Sequence, residues 1–290
     1  MKTVTLTIDG VNRLYLYEGL PGPNLQSPVL IFLHGTGGTA AWAAEETGWP
    51  KYARSAGYTL VVPEGLSPDP TKPPKFLTNP PRWNDGSTQP GDPLHSDADD
   101  VRFLNAVIDD VFERAQDGSG PVFLCGFSNG AGMTFRYAAE HAEKIAAIIP
   151  VAGHCWIADP RPSQPVRTLY IIGTADPLIP LRGGPVRLPW GGRLIRRPAV
   201  LETLEIWAAA NDCKMVPILT SDQNGVREEI YPPGVGGSEF RVQYVHGLGH
   251  HWPGGKGQLN PRIGGPAGGT LVATEAILNF CRGAPPSAAD

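Results

Sequence analysis

Ser128 lies in a short glycine-flanked motif whose surroundings predict a catalytic nucleophile. The motif GFSNG occupies residues 126–130, follows the apolar run at 122–124 and opens the helical pattern at 131–140. A serine on a sharp turn between a strand and a helix projects its hydroxyl above the sheet, where a base can reach it. The pattern alone is weak evidence in a glycine-rich chain and is also compatible with an inert serine in a turn. The strand–turn–helix context favours the nucleophile.

A carboxylate is the second requirement of this chemistry. A serine hydroxyl needs an imidazole base, and the imidazole needs a carboxylate that holds its tautomer and stabilises its charged form. Asp176 ends the segment that begins with the apolar run at 169–172, which places it at the carboxyl edge of a predicted strand. It is the best-placed acid. The alternatives are Asp159, Asp212 and a turn-capping role for Asp176 itself.

Three histidines towards the end of the chain are candidates for the base. His246 ends a predicted strand at 242–245, and a histidine there is more often packed than free. His250 follows two glycines in a loop able to swing towards Ser128, whereas His251, one residue further, points elsewhere. Its position in this loop makes His250 the predicted base. The alternative is a glycine-rich surface loop without a catalytic task.

The segment HGTGG at residues 34–38 directly follows the apolar run at 29–33 and suits the stabilisation of an oxyanion. Acyl transfer needs backbone N–H donors that are already in position when the tetrahedral intermediate forms. In loops of this type the donors are predicted to be the amides of Thr36 and Asn129. The alternative, a phosphate-binding glycine loop, lacks both GxxxxGK[ST] and GxGxxG. His34 is expected to orient the loop by hydrogen bonding.

The elements that must position these residues alternate along the chain. From residue 29 onward, short apolar runs alternate with amphipathic stretches, which is typical of βα units and a mostly parallel sheet. The predicted strands are the runs 29–33, 58–62, 122–124, 145–151, 169–172 and 242–245. The predicted helices are 99–115, 129–141, 200–210 and 271–281. An antiparallel hairpin of 4–8 and 14–17, turned at residues 9–10, is predicted to precede them.

Two segments interrupt this alternation and are predicted to be long irregular loops, at about 63–98 and 177–199. The first holds nine prolines between residues 63 and 93, and the second mixes glycine and proline with arginine. Long loops in an α/β domain usually wall a binding site. The arginines favour either an acidic substrate or a solvated loop, of which the solvated loop is the better supported. No linker or repeat divides the chain, so residues 1–290 are predicted to form one domain.

The composition of the chain excludes several classes of protein. With 290 residues, 24 Lys and Arg against 28 Asp and Glu, and a net charge of −4, it shows no basic cluster, so no nucleic-acid partner is expected. Its longest apolar stretch, 145–152, is far shorter than the roughly 20 residues of a membrane helix. The chain as given carries no export signal, which favours the cytoplasm. Nothing in it indicates an oligomeric state.

In this ordered set of segments the chain resembles the polyhydroxybutyrate depolymerase-like and feruloyl esterase-like family of α/β-hydrolases, over about residues 28–283. The matching segments are LHGT at 33–36, VPEG at 62–65, DDVRF at 99–103, GFSNGAGM at 126–133, GTAD at 173–176 and HHWPGG at 250–255. The resemblance implies an α/β-hydrolase fold, with a mostly parallel central sheet and helices on both faces. It also implies Ser128 as nucleophile, Asp176 as acid and His250 as base, with no metal or organic cofactor.

The cysteines depart from the family pattern. Many relatives have a disulfide cysteine where Cys213 stands, but no cysteine lies between Cys213 and His250 to serve as the usual partner. That bridge is therefore expected to be absent, with Cys281 as an unusual alternative partner. An absent bridge fits a reducing compartment, although relatives of this kind are often secreted.

Three tryptophans complete the predicted site. Trp83, Trp156 and Trp252 lie in loops that this fold brings to the carboxyl edge of the sheet, where flat rings could hold an aromatic acyl group; ordinary packing is the alternative. The prediction is a serine carboxylic-ester hydrolase that forms an acyl-enzyme on small or polymeric esters: short-chain or feruloyl-like aromatic esters, or hydroxyalkanoate oligomers and polyesters. The alternatives are an acyltransferase or peptidase on the same fold, or a catalytically inactive hydrolase fold used for binding.

Overall fold

One large sheet organises the part of the chain that the computed structural model describes, residues 1–20, 27–88, 94–115 and 120–283. The strands are β1 (Lys2–Ile8), β2 (Val11–Glu18), β3 (Val29–Leu33), β4 (Thr59–Pro63), β5 (Val122–Phe127), β6 (Ala147–Val151), β7 (Arg167–Gly173), β8 (Gly184–Arg187), β9 (Leu194–Arg197), β10 (Ile218–Gln223), β11 (Val226–Tyr231) and β12 (Phe240–Val245). The sheet has the order β1-β2-β4-β3-β5-β6-β7-β12-β11-β10, and β8 pairs with β9 apart from it. The central strands β4, β3, β5, β6, β7 and β12 pair with one another in parallel. At the two edges, β1 and β2 and likewise β11 and β10 pair antiparallel with their neighbours.

Helices cover both faces of the central strands. They are α1 (Ala40–Thr47), α2 (Trp49–Ala56), α3 (Asp100–Arg114), α4 (Asn129–Glu140), α5 (Val200–Ala210), α6 (Pro261–Gly264) and α7 (Ala273–Arg282). Every residue of β3, β4 and β6 is buried, as expected for parallel strands with helices packed on both sides. Helix α3 begins where the Asp99 carboxylate accepts the N–H of Arg102 at 2.9 Å, which caps the helix.

The predicted elements are present in the structure, with bounds that differ by a few residues. The six predicted central strands correspond to β3, β4, β5, β6, β7 and β12, and the four predicted helices to α3, α4, α5 and α7. The amino-terminal hairpin is also present as β1 and β2. Together these elements confirm the α/β fold class.

The second long loop is a correction to the prediction. Within residues 177–199 the structure forms a β-hairpin, β8–β9, because Gly191 and Gly192 adopt positive φ angles of 67° and 62° and close the turn. This hairpin stands apart from the main sheet. Segment 63–98 begins with Pro63, the last residue of β4; the rest of its described part contains isolated bridges and no strand or helix, as predicted for a loop.

The hairpin β10–β11 at the far edge of the sheet was not predicted. Its turn is Asn224-Gly225, with positive φ angles of 52° and 75°. Asn-Gly between two extended runs is a strong hairpin signal, so the sequence contained the information. Helices α1 and α2 were not predicted either. The sequence of α1 is rich in alanine and shows no strong apolar stripe.

Two further findings bear on the class of protein. In the described ranges no helix is both long and apolar enough to cross a bilayer. All four cysteines lie in those ranges and are free thiols, so neither of the pairings considered for Cys213 occurs. The Cys213 thiol lies 3.3 Å from the carbonyl oxygen of Ser238 instead.

Candidate active site

Ser128 occupies the turn between β5 and α4 in a strained backbone conformation, with φ 57° and ψ −116°. The flanking glycines make this turn sterically feasible. A Cβ atom at Gly126 would lie 2.2 Å from the carbonyl oxygen of Gly130, and one at Gly130 would lie 2.3 Å from that of Leu33. Larger residues at either position would therefore push the turn apart, and the GFSNG motif is a packing requirement of this geometry.

The side chains of Asp176, His250 and Ser128 form a continuous hydrogen-bonded chain. His250 Nδ1 lies 2.7 Å from Asp176 Oδ2, and His250 Nε2 lies 2.9 Å from Ser128 Oγ. The other carboxylate oxygen, Asp176 Oδ1, accepts the N–H groups of Leu178 and Ile179, each at 2.8 Å. Because an ionised carboxylate only accepts, Nδ1 of the neutral ring carries the proton and Nε2 is free to accept the serine proton.

The topology of the sheet explains why residues so distant in sequence meet. Ser128 follows β5, Asp176 follows β7 and His250 follows β12, and these strands run in the same direction. Strands β7 and β12 pair in register up to Gly173 and Val245, so the loops after them leave the same edge of the sheet. That edge is where ligands bind in open α/β sheets.

The other candidate histidines have different partners. His246 is about half exposed and lies 3.0 Å from the carboxylate of Asp222. His251 is buried, and its Nε2 lies 3.0 Å from the carbonyl oxygen of Gly265. The structure therefore brings only His250 of these three to Ser128.

The other candidate acids also lie away from the histidine. Asp159 is exposed and pairs with Arg161 at 2.6 Å. Asp212 accepts the N–H of Gly236 at 3.0 Å. Of the three candidates, Asp176 alone contacts an imidazole.

The backbone amides of Thr36 and Asn129 lie beside the serine without acceptors. Both residues and Ser128 line a common cavity, and within the described ranges neither N–H donates to another group. Asn129 is also the first residue of α4, where amides have no partner inside the helix. Its side chain is held by the backbone of Trp83, with Oδ1 accepting at 2.7 Å and Nδ2 donating at 3.0 Å.

His34 fixes the loop that carries Thr36. Its ring is buried; Nδ1 donates to the carbonyl oxygen of Gly35 at 2.8 Å, and Nε2 accepts the N–H of Gly65 at 2.9 Å. Burial lowers the pKa of His34 to about 4, so the ring is neutral at pH 7. A neutral ring with both nitrogens occupied orients the loop and has no proton to exchange with substrate.

An apolar cavity of about 420 Å³ opens at Ser128. The indole of Trp42, the side chains of Phe76 and Trp190 and the aliphatic Leu259 and Ile263 contribute to its walls. Trp190 Nε1 donates to the carbonyl oxygen of Phe76 at 2.7 Å, and the two rings lie 5.7 Å apart. The loop at 63–98 and the turn of the β8–β9 hairpin therefore meet over the site.

A second cavity of about 240 Å³ shares Thr36, Ser128, Leu178 and Trp190 with the first. Its remaining wall mixes apolar and polar side chains and contains four arginines: Arg82, Arg193, Arg196 and Arg197. Ser128 therefore lies between an apolar cavity and a cationic one.

The three predicted tryptophans occupy different environments. Trp83 is fully buried and donates to the carbonyl oxygen of His34 at 2.9 Å. Trp252 is also buried and packs edge-on against Phe32, with ring centroids 5.0 Å apart. Neither lines either cavity, which corrects the expectation that they contact substrate, whereas Trp156 does line the cationic cavity.

Four aromatic residues line the apolar cavity, and none of them is among the predicted site residues: Trp42, Phe76, Phe127 and Trp190. Two of them had a signal in the sequence, because Phe76 and Trp190 lie in the two long segments that were expected to wall a site. Trp42 lies in helix α1, which the sequence pattern does not predict, so its position in the site could not be predicted either.

The sheet, the order of its strands and the serine turn define an α/β-hydrolase. The profile of the phospholipase/carboxylesterase family matches residues 22–186, more than half of the chain, and the chain belongs to this family of carboxylic ester hydrolases.

Similarity to individual proteins agrees with this assignment. The chain is 31% identical to the putative esterase NocK of Nocardia uniformis subsp. tsuyamanensis, over 93% of the chain and 78% of that protein. It is 28% identical to feruloyl esterase B of Piromyces equi, over 58% of the chain and 31% of that protein. The structure of an acetyl xylan esterase from Aspergillus awamori superposes with a TM-score of 0.57 at 14% identity, covering 87% of this chain and 95% of that one. The last similarity is one of fold.

Proposed function

We propose that the protein hydrolyses carboxylic esters through an acyl-enzyme on Ser128, with His250 as general base and acid and Asp176 as the group that orients it. The observation that carries this proposal is the hydrogen-bonded chain from Asp176 to Ser128, at 2.7 and 2.9 Å, ending at an open cavity. Both distances are within reach of direct proton transfer.

In the first half of the reaction, Ser128 Oγ attacks the ester carbonyl carbon while His250 Nε2 takes the hydroxyl proton. The carbonyl oxygen becomes an oxyanion, and the free amides of Thr36 and Asn129 are positioned to donate to it. Asp176 stabilises the imidazolium that forms. His250 then gives its proton to the departing alkoxide, so the C–O bond breaks, an alcohol leaves and the acyl group stays on Ser128.

In the second half, His250 takes a proton from water, and the resulting nucleophile attacks the acyl carbon. The same two amides stabilise the second oxyanion, and His250 returns the proton to Ser128 Oγ as the carboxylic acid leaves. No step requires a residue outside these five positions.

The substrates that fit are esters with a short-chain or aromatic acyl group, including feruloyl-like esters, or hydroxyalkanoate oligomers. The aromatic walls from Trp42, Phe76 and Trp190 suit a planar ring. A cavity of about 420 Å³ is of the size that encloses a small ligand. The name of the relative from Piromyces equi, feruloyl esterase B, agrees with this class.

The test is Ser128→Ala, with Ser55→Ala as matched control because Ser55 is exposed on α2 and lines neither cavity. We expect a loss of turnover on the order of 10⁶-fold for p-nitrophenyl butyrate in the first variant and none in the second. A fluorophosphonate probe should label the wild-type chain at Ser128 alone. If the Ser128 variant keeps more than a tenth of the activity with unchanged circular dichroism, the nucleophile is misassigned.

The same protein samples also distinguish this function from the alternative functions. An inactive binding protein would neither be labelled nor release p-nitrophenol. An acyltransferase would give mainly the transesterified product when an alcohol acceptor is added, and a peptidase would cleave amide substrates at rates comparable to esters. A panel of methyl ferulate, a hydroxybutyrate oligomer and p-nitrophenyl esters of graded length would then identify the preferred acyl group.

A further inference from the structure

The cationic cavity beside Ser128 holds more positive than negative charge. Among the described residues that line it, Asp85 is the one acidic side chain beside the four arginines. Asp85 is already engaged: its Oδ1 accepts the N–H and hydroxyl of Ser87 at 3.1 and 2.5 Å and lies 3.8 Å from the Arg82 guanidinium. Arg82 in turn donates to Ser87 and to the carbonyl oxygen of Leu94. Asp85 is therefore engaged by Arg82 and Ser87; it attracts the Arg197 guanidinium electrostatically but forms no ion pair with it.

Arg197 is the unusual member of this group. It lies on β9, where the residues at 195 and 197 are partly buried and those at 194 and 196 are exposed, so the Arg197 side chain faces inward. The guanidinium lies over the ring of Trp156, 5.1 Å from its centroid. Beyond that contact it makes no ion pair or hydrogen bond with the described residues, and its Nε atom is buried without a partner.

A largely buried guanidinium that no carboxylate contacts directly is energetically unfavourable. Burial disfavours the charged form and lowers the pKa of Arg197 from its ordinary value. Proteins normally compensate such a group with a carboxylate or a bound anion. The missing partner is therefore an indication of a ligand.

A second unpaired atom lies in the same wall. His154 is buried, its Nδ1 lies 2.9 Å from Thr203 Oγ1, and its Nε2 has no partner among the described residues. Burial lowers the pKa of His154 to about 3, so the ring is neutral at pH 7 and supplies a hydrogen-bonding group without charge. Its ring packs edge-on against Trp156, 5.2 Å away, next to Arg197.

We propose that this cavity is a specificity subsite for a carboxylate carried by the ester substrate, and that Arg197 binds it. The inference rests on the esterase function proposed above, because the substrate must span Ser128 between the two cavities. Its apolar part lies among Trp42, Phe76 and Trp190, and its carboxylate lies against Arg197. The planar fork of a guanidinium matches a carboxylate with two parallel hydrogen bonds.

Two classes of substrate carry a carboxylate in this position. In a monoester of a dicarboxylic acid the charge is on the acyl side, and in an ester of a hydroxy acid it is on the alcohol side. A hydroxyalkanoate oligomer with a free carboxyl end belongs to the second class. The experiment includes both, because the geometry of the cavities allows either side of the scissile bond to face Arg197.

The test compares charged and neutral esters of the same shape. The acyl pair is p-nitrophenyl hydrogen glutarate and p-nitrophenyl valerate; the alcohol pair is 3-butyryloxybutyric acid and its methyl ester. For each pair the ratio of kcat/KM, charged over neutral, is measured in the wild type, Arg197→Gln, Arg197→Lys and Arg182→Gln. Arg182 is the matched control: an exposed arginine just before β8 that lines neither cavity.

We expect Arg197→Gln to lower the ratio for one of the pairs by about tenfold to a hundredfold, mainly through KM of the charged ester. Arg197→Lys should keep part of the preference, since the charge remains and the fork is lost. Arg182→Gln should leave the ratio unchanged. Equal ratios in the wild type and Arg197→Gln would overturn the subsite while hydrolysis of p-nitrophenyl butyrate left the esterase function standing.

A second measurement needs no variant at Arg197. Glutarate, neutral glutaramide and inorganic phosphate are compared as inhibitors of p-nitrophenyl butyrate hydrolysis by the wild-type protein. The proposal requires glutarate to bind at least about tenfold more tightly than glutaramide. Equal inhibition constants would overturn the proposal. Stronger inhibition by phosphate than by glutarate would assign the cavity to phosphate and overturn it as well.

Discussion

Replacement of Asp176 by asparagine tests the role of the acid without removing its packing. Asp176 Oδ1 accepts two backbone N–H groups, from Leu178 and Ile179, while Oδ2 faces His250. In Asp176→Asn the amide oxygen should take the position that accepts the two N–H groups, because the opposite orientation would leave both donors facing an NH₂ group. Each such lost hydrogen bond costs about 1 kcal/mol or more. The NH₂ group is then forced towards His250 Nδ1.

This orientation of the asparagine side chain favours the wrong tautomer of the His250 imidazole. Nδ1 must accept from the asparagine NH₂, so the ring proton moves to Nε2, and Nε2 can no longer accept the proton of Ser128. A tautomer error of this kind lowers kcat by about 10⁴-fold, equivalent to about 5 kcal/mol in the barrier. Since the hydrogen bonds to Leu178 and Ile179 are kept, the fold should remain intact.

The assay is p-nitrophenyl butyrate hydrolysis, with thermal unfolding recorded on the same samples. Asp159→Asn is the control, because Asp159 was the alternative acid and is exposed in an ion pair with Arg161. We expect the control to keep its activity within about twofold, as is usual for a surface substitution. A kcat for Asp176→Asn within tenfold of the wild type, at an unchanged melting temperature, would refute the assignment.

Three further predictions follow from the site and its surroundings. His250→Ala should lower kcat on the order of 10⁴-fold or more, whereas His251→Ala, which loses one hydrogen bond to Gly265, should mainly lower stability; equal activities would contradict the assigned base. For p-nitrophenyl esters, kcat/KM should fall beyond medium acyl length, because methylenes left in water forfeit about 0.8 kcal/mol each; a steady rise up to palmitate would refute this. The pKa of His34, lowered to about 4, lies below its unfolded value of 6.5, so the unfolded chain takes the proton first and stability is lost as pH falls. Urea unfolding should therefore show a loss of about 2 to 3 kcal/mol from His34 between pH 6.5 and 4.5, in addition to the loss from His154, whose pKa is lowered to about 3. An NMR titration of the His34 ring with a midpoint near 6.5 would contradict its share.

The sequence determined the central part of this protein because the relevant signals are local. A buried parallel strand is an apolar run, and the sharp turn at Ser128 requires glycines at positions 126 and 130 for steric reasons. The same holds for the HGTGG loop and for the order of acid and histidine after later strands. Each of these features depends on residues that are close together in the sequence. The fold class and the candidate serine could therefore be predicted without coordinates.

Two hairpins, β10–β11 and β8–β9, are absent from the prediction based on local sequence patterns. The turn Asn224-Gly225 carries a clear hairpin signal, whereas β8–β9 has the sequence pattern of a loop because its strands are short and rich in arginine. Short strands have too few alternating residues to display a period of two, so pairing, and not pattern, defines them.

The tertiary structure alone decided which side chains face the site. His250 and His251 are adjacent in the sequence, and only the packing of their loop sends one to Ser128 and the other to Gly265. Trp83 and Trp252 are buried while Trp190 lines a cavity, although all three lie in loops of similar composition. The physical reason is that a loop side chain takes its direction from contacts made by distant segments. Arg197 shows this most clearly, because only the folded hairpin places its unpaired charge beside the serine.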